Sequence, residues 1–242
     1  MNKFIIGLLL LNFYLIGDAQ ITVIVRIGEQ GWTKHNLNVD KFRNGDIIPY
    51  AKTDDEWKAA GNALKPAWCY CENKSENGIA YGKLYNWYAI KDSRGLAPVG
   101  YHIPSDSEWT VLANYLGGEE IAGNKMKSTT GWESYNGKKP CNNCKDWTDE
   151  YRDDHTCNIC KGSQKVDGLI SGNGTNSSGF AGLPGGFRNA NGLLLYFGIS
   201  GNWWSSSEDS TKFAWNRFLI NSNLLSSTYD KQVGMSVRCL RD

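Results

Sequence analysis

The sequence predicts an α+β domain, and three observations carry the prediction. Helix signals concentrate in the first half of the 242 residues, whereas the part after Gly168 breaks into short extended pieces between glycine turns. Early helices followed by late strands point to segregated layers rather than alternating βα units. The composition pairs 27 Gly, 10 Trp and 12 Tyr with only 3 Met, which suits a loop-rich fold whose small sheets are held by bulky aromatics.

The chain opens on an export signal. Met1-Asn2-Lys3 carries one positive charge, Phe4 to Ile16 is apolar apart from Asn12, and Gly17-Asp18-Ala19 puts small residues at the −3 and −1 positions before Gln20. That order is the pattern of a secretory signal peptide, expected over 1–19. The apolar run is too short to span a bilayer, which takes about 20 residues; a retained anchor is the alternative. No cysteine stands at the expected cleavage point, so lipid attachment there is not expected. The rest, 20–242, is expected as one exported domain in a periplasmic, outer-surface or extracellular location, with no membrane insertion after cleavage. Lys3 and Asp18 cancel, so the formal net charge stays +1. Near-neutral, interspersed charge excludes an electrostatic footprint for nucleic acid and a polybasic patch for acidic lipid.

Each element has a local reason. Ile21 to Ile27 is largely β-branched, as an opening strand requires, and Gly31 to Leu37 and Ile47-Ile48-Pro49 read as further extended pieces. Asp54 to Leu64 predicts a helix capped by Asp54, with Trp57, Ala60 and Leu64 at helical spacing. Ala80 to Ile90 places Tyr81, Leu84, Tyr85 and Tyr88 on one face of a predicted helix. Such a stripe is usually core rather than a ligand surface. Ser105 with Glu108 three residues on is a capping box, and the helix it starts runs through Val111, Leu112 and Tyr115 to Gly117-Gly118. His102, just before it, reads as a hydrogen-bonded structural residue, since no nucleophile at a telling spacing accompanies it. Trp203 to Ser206, Ala214 to Leu219 and Met235 to Leu240 are the late extended pieces.

Seven cysteines complete the reading. Cys141, Cys144, Cys157 and Cys160 form two C-x-x-C pairs with twelve residues between them, inside an insertion at about 138–167. Two tight turns presenting four thiolates suit one tetrahedral, purely structural zinc; His155 is a weaker ligand candidate. An exported chain equally favours disulfides, with crossed pairs less strained than those within each motif. Both readings stay open, and no organic cofactor is expected. Cys69 and Cys71 are not expected to pair, because alternate strand positions face opposite ways.

Several blocks together resemble a known family. IGEQGWTKHNLNVDKFRNGDIIPYA, YGKLYNWYAI, GLAPVGYHIPSDSEWTVLANYLGG, GNGTNSSGFAGLPGGFR, WWSSSE and GMSVRCLRD look like successive segments of the Fibrobacter succinogenes major paralogous domain. The resemblance implies a C-type lectin-like fold with two main helices, short antiparallel strands and long loops. It also implies kinship with the formylglycine-generating-enzyme branch and occurrence in exported proteins, largely of Bacteroidetes. The glutamate-proline-asparagine and tryptophan-asparagine-aspartate signatures of calcium-dependent lectins are absent, so no calcium site carries over. Ala97 stands where many members have cysteine. On this alignment Cys239 is expected to pair with Cys69, or with Cys71, which leaves one thiol over.

The resemblance places candidate ligand surface at Trp203, Trp204, Trp215 and Tyr196, with Asn202, Ser205, Glu208, Asn216 and Arg217 as hydrogen-bonding groups. At least one of Trp203 and Trp204 is expected to be core, as alternate strand residues. The function that follows is a non-catalytic binding module recognising a surface glycan or an envelope protein. The alternatives are a structural, adhesion-associated domain and, least favoured, an enzyme of the formylglycine-generating type, for which no nucleophile–base set stands out.

Overall fold

The computed structural model describes residues 23–140 and 165–242. The expected signal peptide and the four cysteines of the paired motifs lie outside the described residues. The domain is α+β, as the order of signals predicts, with many short strands and a few helices.

Strands β1 (Ile24–Ile27) and β2 (Gln30–Thr33) form the opening hairpin, Val25 opposite Trp32. Helix α1 spans Asp54–Asn62, and its cap is Thr53 rather than Asp54. Thr53 Oγ1 accepts from the Glu56 amide at 3.1 Å while Glu56 reaches back to the Thr53 amide at 3.1 Å. This second capping box satisfies two free N–H groups where Asp54 would satisfy one.

The stretch read as one helix from Ala80 to Ile90 is three elements. After β3 (Trp68–Tyr70), a short helix α2 (Asn77–Tyr81) ends at Gly82, strand β4 runs Lys83–Asn86, and one turn of helix, α3, spans Trp87–Ile90. Gly82 forces the break: its φ is +69°, and a Cβ there would lie 2.7 Å from the Leu37 carbonyl oxygen. The aromatic spacing misled because β4 is buried on both faces, Leu84 toward one core and Tyr85 toward another, which erases the alternation a half-exposed strand shows.

Strand β5 (Tyr101–His102) precedes helix α4 (Asp106–Tyr115), where Ser105 and Glu108 make the expected capping box. Helix α5 (Glu119–Met126) follows directly. Its Gly123 lies so near the Ser222–Asn223 backbone that a Cβ would fall 2.3 Å from the Ser222 carbonyl oxygen. Among the described residues, strands β6 (Tyr135–Pro140) and β7 (Lys165–Ile170) pair only with each other, and their last rung, Pro140 opposite Lys165, brackets the cysteine segment.

Strands β8 (Phe187–Arg188) and β9 (Leu194–Leu195) form a small hairpin, and β10 (Gly201–Glu208), β11 (Phe213–Ile220) and β12 (Asn223–Asp230) form an antiparallel meander. Strands β13 (Gly234–Met235) and β14 (Leu240–Arg241) close the chain. The described sheets run β1-β2-β14-β5, β3-β4-β13-β8-β9, β10-β11-β12 and β6-β7. The meander stands between two cores. Trp204 and Ala214 pack with Tyr85, Met235 and Val237 on one side; Trp203, Leu219 and Leu224 pack with Trp109, Leu112 and Met126 on the other. A third cluster gathers Trp57, Cys69, Cys71 and Leu84 beneath α1.

Candidate functional site

The meander does not present the surface expected of it. Trp203 is 1% exposed and Trp204 0%, because successive strand residues point to opposite faces and both faces here are covered. Trp203 Nε1 donates to Asn36 Oδ1 and Trp204 Nε1 to the Tyr85 carbonyl, each at 2.9 Å. Both indoles are core, so neither stacks on a ligand. Arg217 is also interior: its Nε donates to Asp106 Oδ1 at 2.9 Å, and its terminal nitrogens reach Glu119 Oε1 and Thr110 Oγ1. It straps the starts of α4 and α5 to β11. Asn202 is buried and donates to Ser200 Oγ; Asn216 is fully buried, and neither its Oδ1 nor its Nδ2 has a partner among the described residues. Ser205 is buried as well. Trp215 is half-buried, and Glu208 is exposed and ion-paired with Lys231. Tyr196 is 55% exposed and stacks on Phe187 with centroids 5.8 Å apart. Only these last three reach the surface, and the meander is a partition rather than a platform.

The expected Cys69–Cys239 disulfide is not formed. Cys69, Cys71 and Cys239 are free and buried, Cys69 in the cluster under α1 and Cys239 beside Ala97 and Val237 in the first core. Burial pushes the Cys69 thiol up to about 11 and the Cys239 thiol up to about 12, with Cys71 raised further. Thiols so held are structural rather than reactive.

A more site-like arrangement lies at the β8–β9 hairpin, on whose far side Tyr196 sits. A cleft of about 150 Å³ is lined by Asp54, Tyr70, Glu72, Asn73, Arg188, Gly192, Leu193 and Leu194. Arg188 forms its floor: the guanidinium is buried and donates to the Gly192 and Ala51 carbonyls, Asn73 Oδ1 and Asp54 Oδ1 at 2.7 to 3.2 Å. At the rim Glu72 and Asn73 are consecutive left-handed residues, with φ of 55° and 54°. Such backbone costs about 1–3 kcal/mol per residue and collects at functional loops. Behind the cleft, Tyr70 packs edge-on against Tyr50 and Trp68, themselves stacked at 4.2 Å. The cleft thus brings two carboxylates, an amide and a buried cation around a half-buried aromatic ring. Sequence reasoning missed it because its parts come from four separated segments. The one legible signal was Arg188, a charge ending the otherwise apolar block FAGLPGGFR.

A second polar cluster surrounds His102. Its Nδ1 lies 2.7 Å from Asp242 Oδ1 and its Nε2 lies 2.8 Å from Glu108 Oε1. Partial burial opposes the imidazolium, but the bonds to Asp242 and Glu108 outweigh it and the pKa is raised. With both ring nitrogens engaged, the histidine is a clamp between β5, α4 and the chain end, in keeping with its structural reading. Among the described residues no three His, Cys, Asp or Glu side chains gather as a metal site, and no helix is long and apolar enough to cross a membrane.

These features define a class: an aromatic-cored α+β domain whose partition sheet is sealed and whose polar clefts sit on the surrounding loops. The chain belongs to the Fibrobacter succinogenes major domain family, whose family model matches residues 25–241. No curated protein and no solved structure matches it.

Proposed function

We propose that this chain is an exported, non-catalytic binding module that recognises a glycan of the cell surface or envelope through the Arg188 cleft. The observation that carries the reading is the convergence of Asp54, Glu72, Asn73 and the buried Arg188 beside the Tyr70 ring. Sugars are bound by such planar polar groups, which match paired hydroxyls, together with an aromatic ring for the apolar C–H face. Two carboxylates against one guanidinium favour a neutral, hydroxyl-rich ligand. The C-type lectin-like architecture belongs to the same reading, supported by the capped α4, the meander and the closing strand β14. A binding role rather than an enzymatic one is supported by the buried, raised-pKa thiols and by a histidine whose two ring nitrogens are both engaged by carboxylates as a clamp.

A glycan array, with a pull-down against envelope fractions, tests the proposal. The native chain is expected to bind, and the surface variant Glu72→Ala to lose at least tenfold in affinity while melting normally. Tyr196→Ala is expected to bind as the native chain does. Blank arrays and pull-downs, or a Glu72→Ala chain that binds undiminished, overturn it. For Cys141, Cys144, Cys157 and Cys160 the reading is a structural staple, by one zinc or two disulfides. With Cys69, Cys71 and Cys239 free, a thiol count in denaturant with chelator separates the two. All seven cysteines titrate if zinc held the four; only the three free ones titrate if disulfides do.

A further inference from the structure

A second cleft, on the other side of α2 from Glu72, has the opposite electrostatic character. It encloses about 240 Å³ between the segment after β2 and the end of α2, with Thr33, His35, Asn36, Asn38, Ile79 and Gly82 in its wall. That is below the usual 300–1,000 Å³ of sites for drug-sized molecules, and suits a single sugar ring. No aspartate or glutamate lines it.

Behind its wall lies an unusual charge. Arg238 is fully buried, and it donates to Asn36 Oδ1 at 2.6 Å and to the Thr33 carbonyl at 2.8 Å, both residues of the cleft wall. Its other partners are the Phe180 and Ala181 carbonyls and the Phe180 ring, whose centroid lies 4.4 Å from its Cζ, and none of these is a carboxylate. Burial pulls its pKa down to about 9, which leaves it charged at neutral pH. A buried cation without a counter-ion raises the potential in an adjoining cleft whose low-dielectric walls focus its field. The field is felt at His35: burial, then Arg238, then Lys34 lower its pKa.

One polar atom in the wall also awaits a donor. Asn38 Nδ2 donates to the Gly78 carbonyl at 3.1 Å, which fixes the amide's orientation, and leaves Asn38 Oδ1 buried without a partner. An unpaired buried acceptor calls for a hydroxyl or N–H group. Val23 and the 90% exposed Ile79 give the mouth an apolar edge, fit for the C–H face of a ring.

From the acid-free wall, the buried guanidinium without a counter-ion behind it and the unpartnered Asn38 acceptor, we infer that this cleft is a second site, for a sugar acid. The ligand is a pyranose-sized ring carrying one carboxylate and several hydroxyls. It lies outside the Arg188 cleft and stands or falls independently of it.

The test is an amide and histidine-ring NMR titration of the full chain with galacturonate, galactose, galacturonate methyl ester and acetate. Galacturonate is expected to shift the His35 and Asn38 signals and to raise the His35 pKa, because the added anion offsets Arg238. Galactose, the ester and acetate are expected to bind at least tenfold more weakly. Asn38→Asp, which adds a negative charge without changing shape, is expected to lose at least tenfold. Ile79→Asp does the same at an exposed position and serves if Asn38→Asp fails to fold. The inference is overturned if galacturonate leaves His35 and Asn38 unmoved or moves Tyr70 and Glu72 instead. Equal binding of galactose or the ester overturns the acid; equal binding of acetate overturns the sugar.

Discussion

Three buried guanidinia do three different jobs, and their partners decide what each costs to remove. Arg217 faces Asp106 and Glu119, whose side chains are partly open to water. In Arg217→Met those carboxylates are left solvated, so the loss is expected at about 1–2 kcal/mol. Arg238 faces only oxygen acceptors inside the fold. Each one stranded costs about 1–3 kcal/mol, so Arg238→Met is expected to lower the unfolding free energy by roughly 3 kcal/mol or more. Urea titration of the two variants decides the order; a smaller loss for Arg238→Met contradicts this account of the interior. The free thiols behave at the same scale. Peptide-resolved alkylation is expected to leave Cys69, Cys71 and Cys239 unlabelled in the native chain and to label all three in guanidinium, since burial withholds both access and thiolate.

At the scale of elements, local chemistry was legible and two-sided burial was not. The Ser105–Glu108 box announced α4 because every group it needs lies within one turn. The Thr53–Glu56 box obeys the same rule, and Asp54 competes with Thr53 in the sequence because aspartate too is a good cap. Ala80 to Ile90 resisted because Gly82 owes its role to Leu37, far away in sequence, and because Leu84 and Tyr85 both enter cores. Strand β12 is obscure for a different reason: only Leu224 of it is buried, so Leu224-Leu225-Ser226-Ser227-Thr228 carries no alternating pattern and the strand is held by its pairing with β11. Thr53→Ala and Ser105→Ala are each expected to cost about 1 kcal/mol in a thermal or urea melt.

The His102 clamp adds a pH dependence to α4. With its pKa raised above 6.5, His102 contributes stability that is complete below that value and lost as pH rises through the folded pKa. Glu108 runs the other way. Burial works to raise its pKa, but hydrogen bonds from Ser105 and His102 bring it below 4.5, so its contribution is lost only as pH falls through the folded value. The clamp is therefore complete between these two values. The urea midpoint of the native chain is expected to exceed that of His102→Gln most at about pH 5.5 and least near pH 9. A gap that widens with rising pH refutes the clamp.

On the whole-molecule scale, α+β was readable from the order of signals, while the clefts were not. The Arg188 cleft joins residues 54, 70–73, 188 and 192–194, and no local pattern predicts that such segments meet. The surface expected on the meander failed for a global reason as well: the sheet has a core on each side. The β6–β7 ribbon, in contrast, pairs with no other strand among the described residues. Replacing 141–164 by Asn-Gly, the dipeptide of a tight hairpin, is expected to keep a single cooperative melt. Its midpoint should move by less than about 4 °C, roughly what 1 kcal/mol produces at this size. A broad or absent transition shows instead that the segment is part of the folding unit.

The sealed meander also makes the protein its own two-channel probe. Trp203 and Trp204 are one peptide bond apart, yet their indoles lie in different interiors. Labelled with 5-fluorotryptophan and assigned through Trp→Phe variants, they supply two fluorine resonances that report on opposite sides of one strand. If the partition holds until the end, both signals collapse at the same urea concentration. Should one broaden first, it identifies which interior loosens before the other, from labels that no other adjacent pair in the meander provides.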